Sequence, residues 1–322
     1  MNFILINILI LKIKVICSNK IQTLKKNLII GAVINYKWKK VAPFIKSYVM
    51  SDIKNCDCIL FISKLSKYTI YKIQSFGIIV YNIPEKYKKK KIINIRWKLY
   101  EDFLISNLYK YNLVMAVDVK DIFFQKDPFK YYNSKKSFLG VAIEDGTLSK
   151  GLNRDWIIRA YGKDLHKTIQ HKSIICVGTI WGTVDKFIEF SKEMWKRLDS
   201  KWSLEHNVIE QAVANFIIYH DKMFNDCLVL SKNEDGPIMT IARTKRKEIF
   251  FDLNGNIINK KGDVVAIIHQ YNRKLDILKK VLKKYCPEII SKKVKNYFIL
   301  IFSLIFCLIL IKIFCTYYIK AI

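Results

Sequence analysis

Tyr111-Asn-Leu-Val-Met-Ala-Val-Asp-Val-Lys-Asp-Ile-Phe-Phe-Gln-Lys-Asp-Pro-Phe129 is the stretch whose reading decides the fold. Its apolar run, Leu113 to Val117, delivers Asp118 and Asp121 at its carboxyl end, and Asp127-Pro128 breaks the element that follows. A short apolar run bounded in this way fits a buried strand. In open α/β sheets, ligands bind beyond the carboxyl ends of the strands. Carboxylates placed there suit a divalent cation that holds phosphate oxygens. The segment therefore predicts an enzyme acting on a phosphorylated or nucleotide-activated substrate.

Upstream, short apolar runs alternate with helical patterns. Strands are predicted at Leu28–Ile34, Cys58–Ile62 and Gly77–Tyr81, with helices at Lys40–Met50, Lys64–Ser75 and Ile95–Tyr109. Downstream, strands are predicted at Phe138–Ile143, Ser173–Val177 and Asp263–Ile268. Helices are predicted at Trp156–Tyr161, Val184–Leu198, Leu204–Tyr219 and Asp276–Lys284. This alternation argues for an α/β sheet covered on both faces. No Gly-x-Gly-x-x-Gly follows the first strand and no Gly-x-x-x-x-Gly-Lys-Ser/Thr occurs, so dinucleotide and P-loop readings lose their usual anchor.

The 322 residues are 51% hydrophobic with few prolines, which excludes a disordered chain. The formal net charge is +29, but lysine is spread along the whole sequence. Such a surface favours anionic ligands. No zinc finger, RNP-type aromatic pattern or basic helix supports specific nucleic-acid binding. The eight cysteines form no metal-ligand pattern and read as mostly free or core thiols.

Both ends are apolar. Phe3 to Leu11 is about as long as a signal h-region, and is equally readable as a short anchor or an extra strand. Tyr297 to Ile319 is almost wholly apolar, and a bilayer crossing needs roughly 20 such residues, so a membrane helix is expected there. The expected organisation is an N-terminal hydrophobic segment or signal peptide at 1–20, a catalytic domain at 25–287, and a juxtamembrane segment with membrane helix at 288–322. The expected location is a single-pass protein of the endoplasmic reticulum or Golgi with a lumenal catalytic domain. Lys292, Lys293 and Lys295 argue for the alternative, a cytosol-facing tail-anchored form.

His269 ends another apolar run, Val264 to Ile268, and an imidazole there is a plausible third ligand for Mn²⁺. A structural, hydrogen-bonding histidine is the competing reading. Arg273, four residues on, has the bidentate fork that suits a diphosphate. Asp118 and Asp121 can equally be a capping pair. Trp181 offers a flat apolar surface to a sugar, against ordinary core burial. Glu144 and Asp145, at the end of another predicted strand, suit sugar hydroxyls or a turn with Gly146.

Three segments together resemble the nucleotide-diphospho-sugar glycosyltransferases of the GT-A type. The first is Arg96-Trp-Lys-Leu-Tyr-Glu-Asp-Phe-Leu104 followed by Val117-Asp-Val-Lys-Asp-Ile-Phe-Phe-Gln-Lys-Asp-Pro-Phe129. The second is Cys176-Val-Gly-Thr-Ile-Trp-Gly182, in the place of the family's acceptor-side loop. The third is Glu210-Gln211 with Asn215, and then His269-Gln-Tyr-Asn-Arg273. Lys120, Val177 and Glu210 depart from the family pattern, which has Arg, Asn and Asp there.

The resemblance spans Leu28 to Arg273 and implies a GT-A-like, mostly parallel mixed sheet flanked by helices. It also implies a glycosyltransferase, hexosyl or pentosyl, moving a sugar from a nucleotide-diphospho-sugar to a hydroxyl acceptor on a glycan, protein or lipid. Asp118, Asp121 and His269 fall at metal-binding positions, and the cofactor is a divalent cation, Mn²⁺ or alternatively Mg²⁺. Arg96, Asp118, Trp181, His269 and Arg273 are the donor-binding candidates, and Asp121 with Glu210 the catalytic ones. Glu210 serves as general base if the enzyme inverts. The competing readings are a metal-dependent phosphohydrolase or nucleotidyltransferase, and a non-catalytic sugar-nucleotide binder of the same fold.

Overall fold

The computed structural model describes residues 25–88, 90–132 and 136–290. The chain begins with β1 (Lys26–Ile34), α1 (Trp38–Met50), β2 (Cys56–Ser63), α2 (Lys67–Gln74) and β3 (Ile79–Asn82). Each strand alternates with a helix, and β1 pairs in parallel with β2, and β2 with β3. The second helix starts where the Ser66 side chain accepts from the Thr69 N–H at 3.2 Å, an ordinary N-cap. Then come α3 (Ile92–Ile105) and β4 (Tyr111–Val117), which returns to the other edge of β1, also in parallel.

The second half holds β5 (Ile122–Phe124), β6 (Leu139–Thr147), α4 (Gly151–Ile169) and β7 (Ser173–Thr183). After these follow α5 (Val184–Leu198), α6 (Lys201–Glu205), α7 (Glu210–Tyr219), β8 (Leu228–Ser231) and β9 (Ile238–Thr240). The pair β10 (Phe250–Phe251) and β11 (Ile257–Ile258), then β12 (Ile267–His269) and α8 (Leu275–Tyr285), complete the described elements. One sheet runs in the order β3-β2-β1-β4-β7-β6-β9-β12-β5, with β8 beside β6. Most pairings are parallel, and β4–β7, β6–β7 and β12–β5 are antiparallel. This is the mixed, mostly parallel sheet that the family resemblance implied.

Helices cover both faces. On one face α3, α5 and α7 bury Trp97, Tyr100, Phe187, Phe190 and Ile217 against the sheet. On the other, α1 places Phe44 and Ile45 against Leu60, Val117 and Phe124. A third apolar cluster seats α8 on Phe123, Ile268 and Tyr271. Burial of this kind, on the order of 25 cal/mol per Å² of apolar surface, is the main favourable term in such a fold. The described cysteines, Cys56, Cys58, Cys176, Cys227 and Cys286, are all free thiols.

Several expectations change. The run from Leu204 to Tyr219 is two helices, because Asn207 takes a left-handed φ of 50° and interrupts the helix between α6 and α7. The helix expected at Trp156–Tyr161 is part of the longer α4, which kinks at Gly162 where φ is 85°. The segment Cys176–Gly182, expected as a loop, is the middle of β7, hydrogen-bonded between β4 and β6.

The membrane helix in the expected fold class is also corrected. Among the described residues no helix is long and apolar enough to cross a membrane. The longest described helix, α4, carries Arg154, Asp155, Arg159, Lys163 and Asp164 within its span, which a bilayer core does not accept. The stretch Tyr297–Ile319 on which the expectation rested, and the N-terminal segment, lie outside the described residues. The membrane as a partner and the single-pass endoplasmic reticulum or Golgi location lose their support with it.

Candidate active site

The carboxyl end of β4 and the carboxyl end of β12 meet. The Asp118 N–H donates to the Gly178 carbonyl at 2.9 Å, which fixes the first residue after β4 against β7. Four residues on, β5 runs antiparallel to β12 with Ile122 opposite His269. The Gln270 N–H then donates to the Asp121 carbonyl at 2.8 Å, with Gln270 itself in the left-handed region at φ 59°. Two ladders thus bring residues far apart in the sequence to one point.

Asp118, Asp121 and His269 offer ligand atoms that all lie within 4.8 Å of one another. His269 Nε2 is 3.5 Å from Asp121 Oδ1 and 3.6 Å from Asp118 Oδ2. The ring is buried, and Nε2 has no hydrogen-bond partner. Its other nitrogen, Nδ1, meets the Cys176 Sγ at 3.4 Å. A buried nitrogen without a partner, aimed between two carboxylates, fits a divalent cation. Two hard oxygen donors and one imidazole form a donor set that several such cations accept.

The charges are set by the surroundings. Burial pulls the Asp118 carboxyl upward, but the Arg96 guanidinium and His269 outweigh it and hold Asp118 well below the usual carboxylate range. Burial opposes a proton on His269, yet its neighbours raise it well above its ordinary value. Cys176 is a hydrogen-bond partner rather than a charge here, because burial pushes its thiol up to about 11.

Arg96, on α3, organises the floor. Its Nη1 donates to Asp118 Oδ1 at 2.6 Å, and its Nε and Nη2 donate to the two oxygens of Glu210 at 2.8 and 2.9 Å. Nη2 also donates to the Val177 carbonyl at 3.2 Å, and Trp97 Nε1 donates to Glu210 Oε2 at 2.9 Å. Both Arg96 and Glu210 are buried, and both Glu210 oxygens are engaged. Burial lifts the Glu210 carboxyl to about 7 against the opposing pull of Arg96. Such a bidentate pair is geometrically specific.

A bulge in β7 makes these contacts available. Opposite β6 the register jumps from Val141–Ile180 to Ala142–Cys176, leaving Val177, Gly178 and Thr179 out of that ladder. The Val177 and Gly178 carbonyls turn to Arg96 and Asp118 instead. Bulges commonly re-aim groups beside functional sites.

The other expected residues are placed differently. Trp181 is 1% exposed, lies against Gly140 of β6, and packs on Tyr132 with ring centroids 5.3 Å apart. It is a core residue with no face open to a sugar. Arg273 is exposed, on the short turn Tyr271–Arg273 that follows His269. Asn215 is buried and clasps the Ile175 backbone, accepting its N–H at 3.0 Å and donating to its carbonyl at 3.1 Å. Asp145 accepts from Asn233 Nδ2 at 3.1 Å and from the Thr244 hydroxyl.

Two contributors escaped the sequence reading. Cys176 supports the imidazole, and nothing in the sequence couples it to a residue so far along the chain. Tyr36, half-buried just beyond β1, is raised above its ordinary value by burial first and then by the Asp118 and Asp121 carboxylates. Both follow from the strand order: β1 and β4 are paired neighbours, and the order of strands reverses between them, which is where clefts form in such sheets.

No family model matches the chain, and no curated protein matches its sequence. In fold it is similar to solved structures of the galactosyltransferase LgtC. An active-site mutant of LgtC aligns with a TM-score of 0.49 at 11% identity, over 75% of this chain and 86% of that one. LgtC in complex with donor and acceptor sugar analogues aligns at 0.46 and 12% identity, over the same shares. At these values the likeness is one of overall architecture alone.

Proposed function

We propose that this chain is a metal-dependent glycosyltransferase that moves a sugar from a nucleotide-diphospho-sugar to a hydroxyl acceptor. The observation that carries the reading is His269 Nε2, buried, without a hydrogen-bond partner and facing Asp118 and Asp121. Those three side chains would hold the cation, with Mn²⁺ the preferred ion. When bound, it supplies Lewis-acid stabilisation of the departing diphosphate.

The chain's own residues do the rest. Arg96 keeps Asp118 ionised and in place, and Glu210 keeps Arg96 in place. Arg273, exposed after His269, adds a cation to the field felt by the diphosphate. Asp121, less exposed than Asp118, keeps its carboxylate turned to His269. Glu210 is read here as a positioning residue and not as a base, since both its oxygens already accept from Arg96 and Trp97. A transfer that needs no base at this position agrees with that arrangement.

Incubation with nucleotide-sugars, Mn²⁺ and hydroxyl acceptors tests the proposal. The expected result is a metal-dependent glycosylated product. Release of diphosphate or phosphate without any sugar product points to the phosphohydrolase reading and overturns this one.

A further inference from the structure

The face of the sheet that carries His269 turns polar at one step. Ala142 of β6, Ile238 of β9 and Ile267 of β12 belong to the apolar cluster that packs on α1. Two residues further along the same strands stand Glu144, Thr240 and His269. The register pairs Glu144 with Thr240 and Thr240 with His269, and both pairings are parallel. Register partners project from one face of a sheet, so these three side chains form a row. β4 runs the same way as β6, since each is antiparallel to β7. The row therefore lies at the edge of the sheet where Asp118 and Asp121 follow β4. Neighbouring strands are roughly 4.8 Å apart, which sets Glu144 no more than about 10 Å from His269 at the backbone.

Glu144 is 5% exposed. Neither of its carboxylate oxygens has a hydrogen-bond or ion-pair partner among the described residues, yet neither is cut off from solvent. Buried carboxylates are normally paired, and this chain holds 56 lysines and arginines from which to pair one. Asp145, the next residue, points to the opposite face and is engaged by Asn233 and the Thr244 hydroxyl. Glu144 also stands outside the group of side chains that could hold the cation. A carboxylate with two free oxygens beside that group calls for O–H donors from a ligand. Neighbouring hydroxyls of a sugar present two of them side by side.

We propose that Glu144 is a specificity residue of the cleft, accepting hydrogen bonds from two neighbouring hydroxyls of a sugar held beside the cation. This rests on the transfer reaction proposed above and names what selects its substrate. The hydroxyls belong to the sugar being moved or to the sugar that receives it, and the chemistry at Glu144 is the same for both. No bond within the chain holds the carboxylate, so its charge serves the ligand and not the fold. A site built to bond a hydroxyl strongly rejects an analogue that lacks it, because the buried polar group is then left unpaired.

The test compares the full chain with its Glu144→Gln variant, both in Mn²⁺. Calorimetry with UDP-glucose, UDP-galactose and GDP-mannose, each against its bare nucleoside diphosphate, forms the donor arm. The KM for methyl glucoside and methyl galactoside in the transfer assay forms the acceptor arm. The variant should bind the bare diphosphates as the parent does. It should lose about tenfold or more in one arm, the size expected when charge-assisted hydrogen bonds go. Loss in the donor arm assigns the hydroxyls to the sugar being moved, and loss in the acceptor arm assigns them to the sugar that receives it. The Tm of the ligand-free variant should equal or exceed that of the parent. A lower Tm, a loss shared equally by the bare diphosphates, or no loss in either arm overturns the role of Glu144 alone. A parent chain that binds none of the nucleotide-sugars overturns the transfer reaction and this proposal together.

Discussion

Gly178 lies directly against the imidazole of His269. A β-carbon built on Gly178 would stand 2.1 Å from His269 Cε1 and 2.5 Å from Nε2, distances no real side chain tolerates. The bulge in β7 and the missing side chain together make the bed for the ring. Gly178→Ala should push His269 off its position between the carboxylates. Loss of such a supporting contact typically costs about 10–100-fold in metal affinity. Titration with Mn²⁺ followed by calorimetry measures this, and unchanged affinity would show that the ring has room to spare.

The Arg96–Glu210 pair separates two roles for Glu210. Removing one partner of a buried ion pair costs about 3–5 kcal/mol, because the other charge is left behind. Glu210→Ala should therefore lower stability by that order in urea unfolding, and turnover should fall with it. Glu210→Gln, which keeps the size and one acceptor, should lose less of both. A general base would behave otherwise: Glu210→Gln would abolish turnover at nearly full stability.

Asp121→Ala removes a proposed ligand whose own backbone carbonyl still accepts from Gln270. The β5–β12 ladder is unaffected by the change. The expected outcome is loss of transfer with a near-native Tm. Retained metal-dependent transfer in this variant would remove Asp121 from the site.

His269 makes metal binding depend on pH. Against the effect of burial, its folded-state pKa is raised above the ordinary value by the neighbouring Cys176 first and then by Asp118 and Asp121. In the metal-free protein that raised value contributes stability that is fully present below the unfolded pKa of about 6.5 and is lost as pH rises through the folded pKa. A cation needs the neutral ring, so binding should release a proton and tighten as pH rises across the same window. Calorimetry in buffers of different ionisation enthalpy counts the proton. Affinity that does not change with pH would mean that His269 is not a ligand.

Trp181 offers a test of core against sugar platform. Buried between Gly140 and Tyr132, it should cost about 3–5 kcal/mol of stability when cut to alanine. Urea unfolding of Trp181→Ala gives the number. A variant of near-normal stability that fails only with its sugar substrate would restore the platform reading.

The parts of the site carried by local pattern were legible. Leu113–Val117 ended in Asp118 because an apolar run flanked by carboxylates has few other uses, and His269 closed Val264–Ile268 in the same way. What was hidden depended on pairing between distant segments. The family resemblance put a loop at Cys176–Gly182, beyond the strand predicted at Ser173–Val177, but the strands on either side extend that strand through it. Glu210 was a candidate base through the family resemblance, and only for an inverting enzyme; its clasp by Arg96 depends on a pairing of distant segments that the sequence does not show. Asn207 gave no warning of its left-handed turn, since the apolar spacing runs on through it. The apolar residues near the C-terminus suggested a membrane helix on composition alone, and none of the described helices supplies one.

The two ends of the metal cluster have a bearing on how the protein is made. Asp118 and Asp121 emerge early, whereas His269 sits on β12, which must slide between β9 and β5 to complete the sheet. Among the described residues β5 pairs in that sheet with β12 alone, so the segment bearing Asp121 is unpaired on that side until β12 docks. Pairings between distant segments are slow to form. The cluster of Asp118, Asp121 and His269 is therefore complete only once β12 has paired with β5.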